Sequence, residues 1–332
     1  MLSETSGKAL DQGSVPSALL PSDVGPDRRT IAPLAVREEL GALGRVSAGL
    51  VAYNLAYLAL VLGVAIGAIA LFWADRSWYT FLLAFFVASS RQQALLNTEH
   101  ECIHGKFLPT RRQNALFGFV CGGLVGSPFG ASRTRHLTHH RLLGQPGDPD
   151  HPLHGIDGKD TRRGFVRHFA MGLIGAYAGM ILLGPPSKTD SRSRKSRLGD
   201  LMAIVLGQLA LLALLTVAFA WWVYPALWLA PLASVTVLGH LIRSFGEHAI
   251  TPSESTAHAN RLITVQSNAL ERAMIAPYNM NYHAEHHLVP WVPAPRLRAA
   301  RRRLEGRDDL PPRLSRSSYG AALLRYVRQL PR

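Results

Sequence analysis

Three short stretches of the chain gather histidine. His283-Ala284-Glu285-His286-His287 and His136-Leu137-Thr138-His139-His140 each place three imidazoles in five positions, and His100-Glu101-Cys102-Ile103-His104 adds a pair. On a helix, positions i, i+3 and i+4 share one face, so each stretch would aim its imidazoles in one direction. Neutral imidazole is a good ligand for iron, zinc, copper or nickel. Eight of the 14 histidines fall into these stretches, each beside an apolar segment. A lone histidine is more often a surface or satisfied core residue than a ligand, but grouping on this scale points to metal. A catalytic zinc usually takes three protein ligands and a structural one four, so eight imidazoles suit two metal ions with about four each. Soluble di-iron bundles use Glu and Glu-x-x-His for such a pair, whereas histidine here replaces most carboxylates.

Two other chemistries compete. His100-Glu101-Cys102-Ile103-His104 is also H-E-x-x-H, the zinc metalloprotease pattern, with Glu101 as general base. An intramembrane protease would need an acidic third ligand, for which Asp157 is the nearest candidate, and would leave the other two clusters without a role. A non-enzymatic metal-binding or transport protein would show labile metal and consume no oxygen.

The clusters need elements to position them. The chain is 48% hydrophobic and 17% charged, and neither Val46–Ala74 nor Leu201–Ile242 carries a charged residue. Apolar runs of about 18 or more residues read as membrane helices. Val46–Trp73 suffices for one crossing, and after the turn Ala74-Asp75-Arg76-Ser77 a second helix starts near Trp78. Leu201–Ile242 would be about 63 Å long as a helix, enough for two crossings, with Tyr224-Pro225 as the natural break. Four spanning helices in two hairpins follow. Parity then constrains the rest: if glycine-rich Ala115–Ser132 crossed the membrane, His136 would lie on the opposite face from His100. One shared site therefore requires Ala115–Ser132, and likewise the short stretch Phe169–Gly184, to be re-entrant or interfacial.

The net charge is +14, but Lys and Arg crowd Arg133–Arg197 and Arg261–Arg332, and Arg76 alone of 36 sits in a predicted outer turn. That is the positive-inside pattern and places the histidines on the cytoplasmic side. No aromatic residues interleave with the basic runs, which argues against a nucleic-acid groove. With only Cys102 and Cys121, a disulfide framework, a four-cysteine zinc site and a bound iron–sulfur cluster are all excluded. The N-terminus has no apolar core of the kind a signal peptide needs. A dinucleotide fingerprint and a haem-domain motif are also missing, "HPLHG" at His151 being only a faint match to the latter. Arg91, between apolar runs, is expected to snorkel or to bind a carboxylate or headgroup. Tyr319–Leu330 has amphipathic spacing suited to a membrane surface.

With HxxxH, HxxHH and HxxHH in that order, separated by hydrophobic hairpins, the chain resembles the membrane fatty acid desaturase family. "HECIHGKFLP", "RTRHLTHHRLLGQPGDPD" and "NMNYHAEHHLVPWVPAPRL" carry the resemblance, which covers roughly residues 48 to 300. It implies an all-α integral membrane protein, four transmembrane helices in two hairpins, and a cytoplasmic helical cap holding two irons. The implied organisation is an N-terminal arm (1–44), a desaturase domain (45–300) and a basic tail (301–332). The implied ligands are His100, His104, His136, His139, His140, His283, His286 and His287. A ninth falls on His248 of "SFGEHA", ahead of His240. Glu101, Asp148, Asp150, Asn279 and Glu285 are candidates to orient the imidazoles, and Cys102 is a small buried filler.

The activity the resemblance implies is oxygen-dependent desaturation of an acyl chain in a fatty acid or lipid. Hydroxylation or ketolation is an alternative, as is desaturation of a small amino-acid-derived metabolite of the dihydrorhizobitoxine kind. Electrons would come from a separate ferredoxin or cytochrome-type donor with its reductase, docking on a basic surface such as Arg301-Arg302-Arg303. The expected location is the cell (inner) membrane if the protein is bacterial, in contact with membrane lipids.

Overall fold

A computed structural model describes residues 32–145, 147–150, 161–178, 192–250, 254 and 261–331. Most of the arm expected over 1–44, Asp157, the His151 motif and the end of Phe169–Gly184 lie outside the described residues. After a short helix α1 (Leu34–Leu40), α2 (Ala48–Asp75) and α3 (Trp78–Ile103) form the first hairpin. Its turn is defined chemically at both ends. Arg76 closes α2 in the left-handed region, φ 57°, with its guanidinium 3.5 Å from the Trp73 ring centroid. The Ser77 hydroxyl accepts from Thr80 N and caps α3, a contact worth about 1 kcal/mol.

The two halves of α3 differ. Trp78, Tyr79, Leu82, Leu83 and Phe86 are exposed, as an apolar face toward lipid would be. The half that leads to His100 instead buries Gln92, Gln93, Asn97, Thr98, Glu99 and Glu101. For that reason α3 is not among the three helices that, among the described residues, are long and apolar enough to cross a membrane. Those are α2, α7 (Arg194–Ala218) and the run Pro225–His248. A fourth is counted if α4 (Arg111–Leu124) and α5 (Phe129–Leu142), bent by 107° at their junction, make one span.

Glycines in α4 serve close packing. A Cβ on Gly123 would come within 2.4 Å of the Ala203 carbonyl oxygen, and one on Gly207 within 2.6 Å of the Gly123 backbone. The backbones of α4 and α7 therefore touch, as small residues allow between membrane helices. Beyond α6 (Arg162–Leu173) and α7, Pro225 opens the last long run. It contains two π-helical turns, Pro225–Leu229 and Leu232–Thr236, before α8 (Val237–His248).

The C-terminal third closes over the helix ends. Strand β1 (Ile263–Val265) pairs in parallel with β2 (Leu314–Arg316), enclosing α9 (Ala269–Met274), the fully buried α10 (His283–Leu288) and α11 (Leu297–Leu304). The last helix, α12 (Tyr319–Gln329), buries Tyr319, Ala322 and Tyr326, and Tyr326 joins Phe165, Phe245 and Ala249 in one apolar cluster. The amphipathic stretch expected at a membrane surface thus turns its buried face to α6 and α8. Arg91 donates to the Ala273 carbonyl at 3.2 Å and to the Ser90 hydroxyl at 2.6 Å, so its charge is met by the protein itself.

Candidate metal centre

Four elements deliver nine imidazoles to one place. The end of α3 carries His100 and His104, α5 carries His136, His139 and His140, the last turn of α8 carries His248, and α10 carries His283, His286 and His287. Their ring nitrogens form two groups, each with all atoms within 4.8 Å of one another: His100, His104, His136, His140 and His286, and His139, His248, His283 and His287. The groups abut, with the His140 and His287 rings stacked at 4.0 Å between centroids. The 107° bend between α4 and α5 turns the chain back, so that all three clusters meet. His248 enters the four-histidine group, whereas His240, one of the two ninth-ligand candidates, lies outside both groups.

Hydrogen bonding fixes where the lone pairs point. His139 Nδ1 donates to Asp148 Oδ1 at 2.9 Å, and His248 Nδ1 faces the Arg261 carbonyl at 3.4 Å. A carboxylate and a carbonyl only accept, so the Nδ1 atoms hold the protons and the Nε2 lone pairs are bare. Yet those two Nε2 atoms stand 3.2 Å apart, and His248 Nε2 is 2.9 Å from His283 Nε2. In the other group, His104–His136 and His140–His286 meet through Nε2 at 2.9 and 3.0 Å, while His100 has no hydrogen-bond partner at either nitrogen. Each unsatisfied buried polar group costs about 1–3 kcal/mol. Facing lone pairs are stable around a cation.

The spacing also selects a coordination geometry. With metal–nitrogen bonds of about 2.1 Å, ligands at right angles lie about 3.0 Å apart and tetrahedral ones about 3.4 Å. Separations of 2.9–3.2 Å match the right-angled arrangement better than a tetrahedral zinc. Protonation does not compete at His286 and His287, which burial first, then neighbouring imidazoles, hold well below the ordinary imidazole range. His283 is held low in the same way, with nearby Arg243 adding to the effect. At His139 burial pulls down, but the Asp148 hydrogen bond and the Asp150 charge outweigh it and raise it. The residues present fit metal ions.

The expected orienting residues divide. Asp148 bonds His139, and Asp150 lies 3.8 Å from the same nitrogen while pairing with Arg135. Among the described residues, no hydrogen bond or ion pair joins Glu101, Asn279 or Glu285 to an imidazole. Glu101 accepts from Ala294 N at 3.1 Å, Asn279 donates to the Pro295 carbonyl at 3.3 Å, and Glu285 takes the Thr264 hydroxyl with Arg301 at 3.7 Å. Those partners, the Ala294 amide for Glu101 and Thr264 with Arg301 for Glu285, engage the two carboxylates instead. Cys102 is buried and free.

Sequence reasoning missed Glu247. One of its oxygens, Oε2, stands 3.2 Å from His283 Nδ1, off the line of a straight hydrogen bond. The other accepts from the Tyr319 hydroxyl at 2.6 Å. Beside the histidines lies a cavity of about 170 Å³. Its lining includes apolar Leu96, Ile103, Leu232 and Val237 and polar Glu99, Arg135, Asp150, His240, Arg243 and Ser244.

Residues 76–317 match the fatty acid desaturase family, and the chain belongs to it. It is similar to a dihydrorhizobitoxine desaturase of Bradyrhizobium elkanii, 27% identical over 242 residues, covering 65% of this chain and 65% of that one. It is also similar to a beta-carotene ketolase of Paracoccus sp. (strain N81106 / MBIC 01143), 29% identical over 209 residues, covering 61% of this chain and 71% of that one. The chain thus spans just under two thirds of the length of the first of these relatives. The apolar helices fit a membrane protein of this family.

Proposed function

We propose that this chain is an oxygen-dependent desaturase with two irons, one held by His100, His104, His136, His140 and His286 and the other by His139, His248, His283 and His287. The observation that carries the proposal is the meeting of bare Nε2 lone pairs at about 3 Å in a buried centre. Iron in such a site supplies oxygen activation, which removes hydrogen from an unactivated C–H bond. The overall balance takes two hydrogens from adjacent carbons, with two electrons and two protons from outside, and reduces one O2 to two waters. A separate ferredoxin or cytochrome-type donor is the proposed electron source. The topology in this proposal is four spans in two hairpins in the cell membrane with the centre on the cytoplasmic side, supported by the placement of Lys and Arg.

The chain's own residues bind and orient. Asp148 keeps the His139 lone pair aimed inward, and the apolar lining residues Leu96, Ile103, Leu232 and Val237 suit the methylenes of an acyl chain, the primary substrate proposed. The polar residues of the lining favour a second reading. A cavity that also presents Glu99, Arg135, Asp150 and Ser244 suits a small molecule with polar groups near the reacting carbons, and one relative is named for such a substrate.

The test is metal content and oxygen uptake of the detergent-purified protein, supplied with ferredoxin, its reductase and either a phospholipid or a short zwitterionic amino acid. About two irons per chain and a product lacking two hydrogens support desaturation. A product that gains oxygen indicates a hydroxylase or ketolase instead. One tightly held zinc and no oxygen uptake would sink the proposal.

A further inference from the structure

We infer that Glu247, clamped by Tyr319 of the C-terminal helix, positions His283 and so governs the four-histidine group; this rests on the reading of that group as a metal site. Glu247 is 1% exposed and carries four contacts on two oxygens. Arg243 Nε donates to both, at 3.2 and 3.1 Å, the Tyr319 hydroxyl donates to Oε1 at 2.6 Å, and Oε2 faces His283 Nδ1 at 3.2 Å. Arg243 is itself fixed through Asn97, whose amide donates to the Pro277 carbonyl at 2.8 Å. The carboxylate is held on three sides and turns its remaining side to an imidazole.

The approach of Tyr319 is built into the fold. Pairing of β2 with β1 brings the chain to Ser318, which caps α12 so that Tyr319 begins that helix. Its fully buried ring lies against Gly246, where a Cβ would come within 2.7 Å of Tyr319 Cδ1. Glycine at 246 thus leaves space for the ring whose hydroxyl reaches the neighbouring Glu247. An anion behind a ligating imidazole fixes its orientation and raises its basicity, and losing such a partner costs about 10–100-fold in metal affinity. The last helix therefore acts on the centre through Tyr319, Glu247 and His283 in turn. If Glu247 served only as a counter-ion for Arg243, Tyr319 would affect stability and leave metal binding alone.

The experiment is an anaerobic titration of the full-length, metal-free protein in detergent with Co2+ as a spectroscopic probe. Wild type should bind two ions. Glu247→Gln should weaken one step by about 10–100-fold and leave the other unchanged. Tyr319→Phe, which keeps the ring on Gly246, should weaken the same step by a smaller factor. His286→Ala should strike the other step and so identify it. If both steps weaken alike, or neither moves while the Tm falls, the inference is overturned. Should Glu247→Gln fail to fold, Tyr319→Phe decides alone: an unchanged titration refutes the role. A wild type that binds no cobalt refutes the metal-site reading itself, and the inference with it.

Discussion

The two histidine groups use one ligand type in different settings. Among the described residues, no carboxylate bonds an imidazole of the five-histidine group, and His100 has no hydrogen-bond partner at all. The four-histidine group has Asp148 behind His139 and Glu247 behind His283. A carboxylate behind an imidazole makes it a stronger donor and locks its tautomer. The four-histidine group should therefore hold its ion more tightly despite having fewer ligands, and the five-histidine group should depend on the ion itself to align its rings.

The largest test of that contrast removes a ligand from each side. His286→Ala and His283→Ala should each reduce iron to about one per chain and abolish oxygen uptake, with the ion left in His286→Ala being the slower to exchange with a chelator. Next, Asp148→Asn should weaken only the tighter site, by about 10–100-fold, read in the same chelator competition. Equal loss at both sites would break the comparison.

Acid should act on both groups. His283, His286 and His287 are neutral when folded and take up protons when unfolded, so stability falls as pH drops below the ordinary imidazole pKa of about 6.5. The loss approaches about 1.4 kcal/mol per pH unit for each imidazole, measurable as a falling urea midpoint of the metal-free protein. The smallest effect belongs to Glu101→Gln, which should leave iron content unchanged because, among the described residues, no hydrogen bond or ion pair joins Glu101 to an imidazole. Loss of metal there would show that Glu101 supports a ligand and break the comparison.

How much of this the sequence revealed depended on distance along the chain. Helical spacing is local, so the eight imidazoles of the three clusters could be grouped from short motifs, whereas His248 came only from the family resemblance. Orientation of acidic neighbours could not be read that way. Adjacency in sequence singled out Glu101 and Glu285, yet each is engaged by residues distant in sequence, Ala294 for Glu101 and Thr264 with Arg301 for Glu285. Glu247 and Tyr319 are 72 residues apart, and only the β1–β2 pairing brings them together. The polar, buried half of α3 was likewise hidden, because hydropathy treats Gln92, Asn97 and Glu99 as interruptions when Gln92 and Asn97 donate to the Trp228 and Pro277 carbonyls and Glu99 accepts from the Ser127 hydroxyl.

The two π-helical turns ahead of α8 have a rotational consequence. Each accommodates an extra residue without ending the helix, and each residue advances an α-helix by about 100°. Deleting one residue from the regular turns of α8 would therefore swing His248 by about 100°, away from His139 and His283, whereas a deletion between Pro225 and Thr236 would relax a π turn to an α turn and keep its direction. The phase of this helix is as much a part of the centre as the ligands it carries.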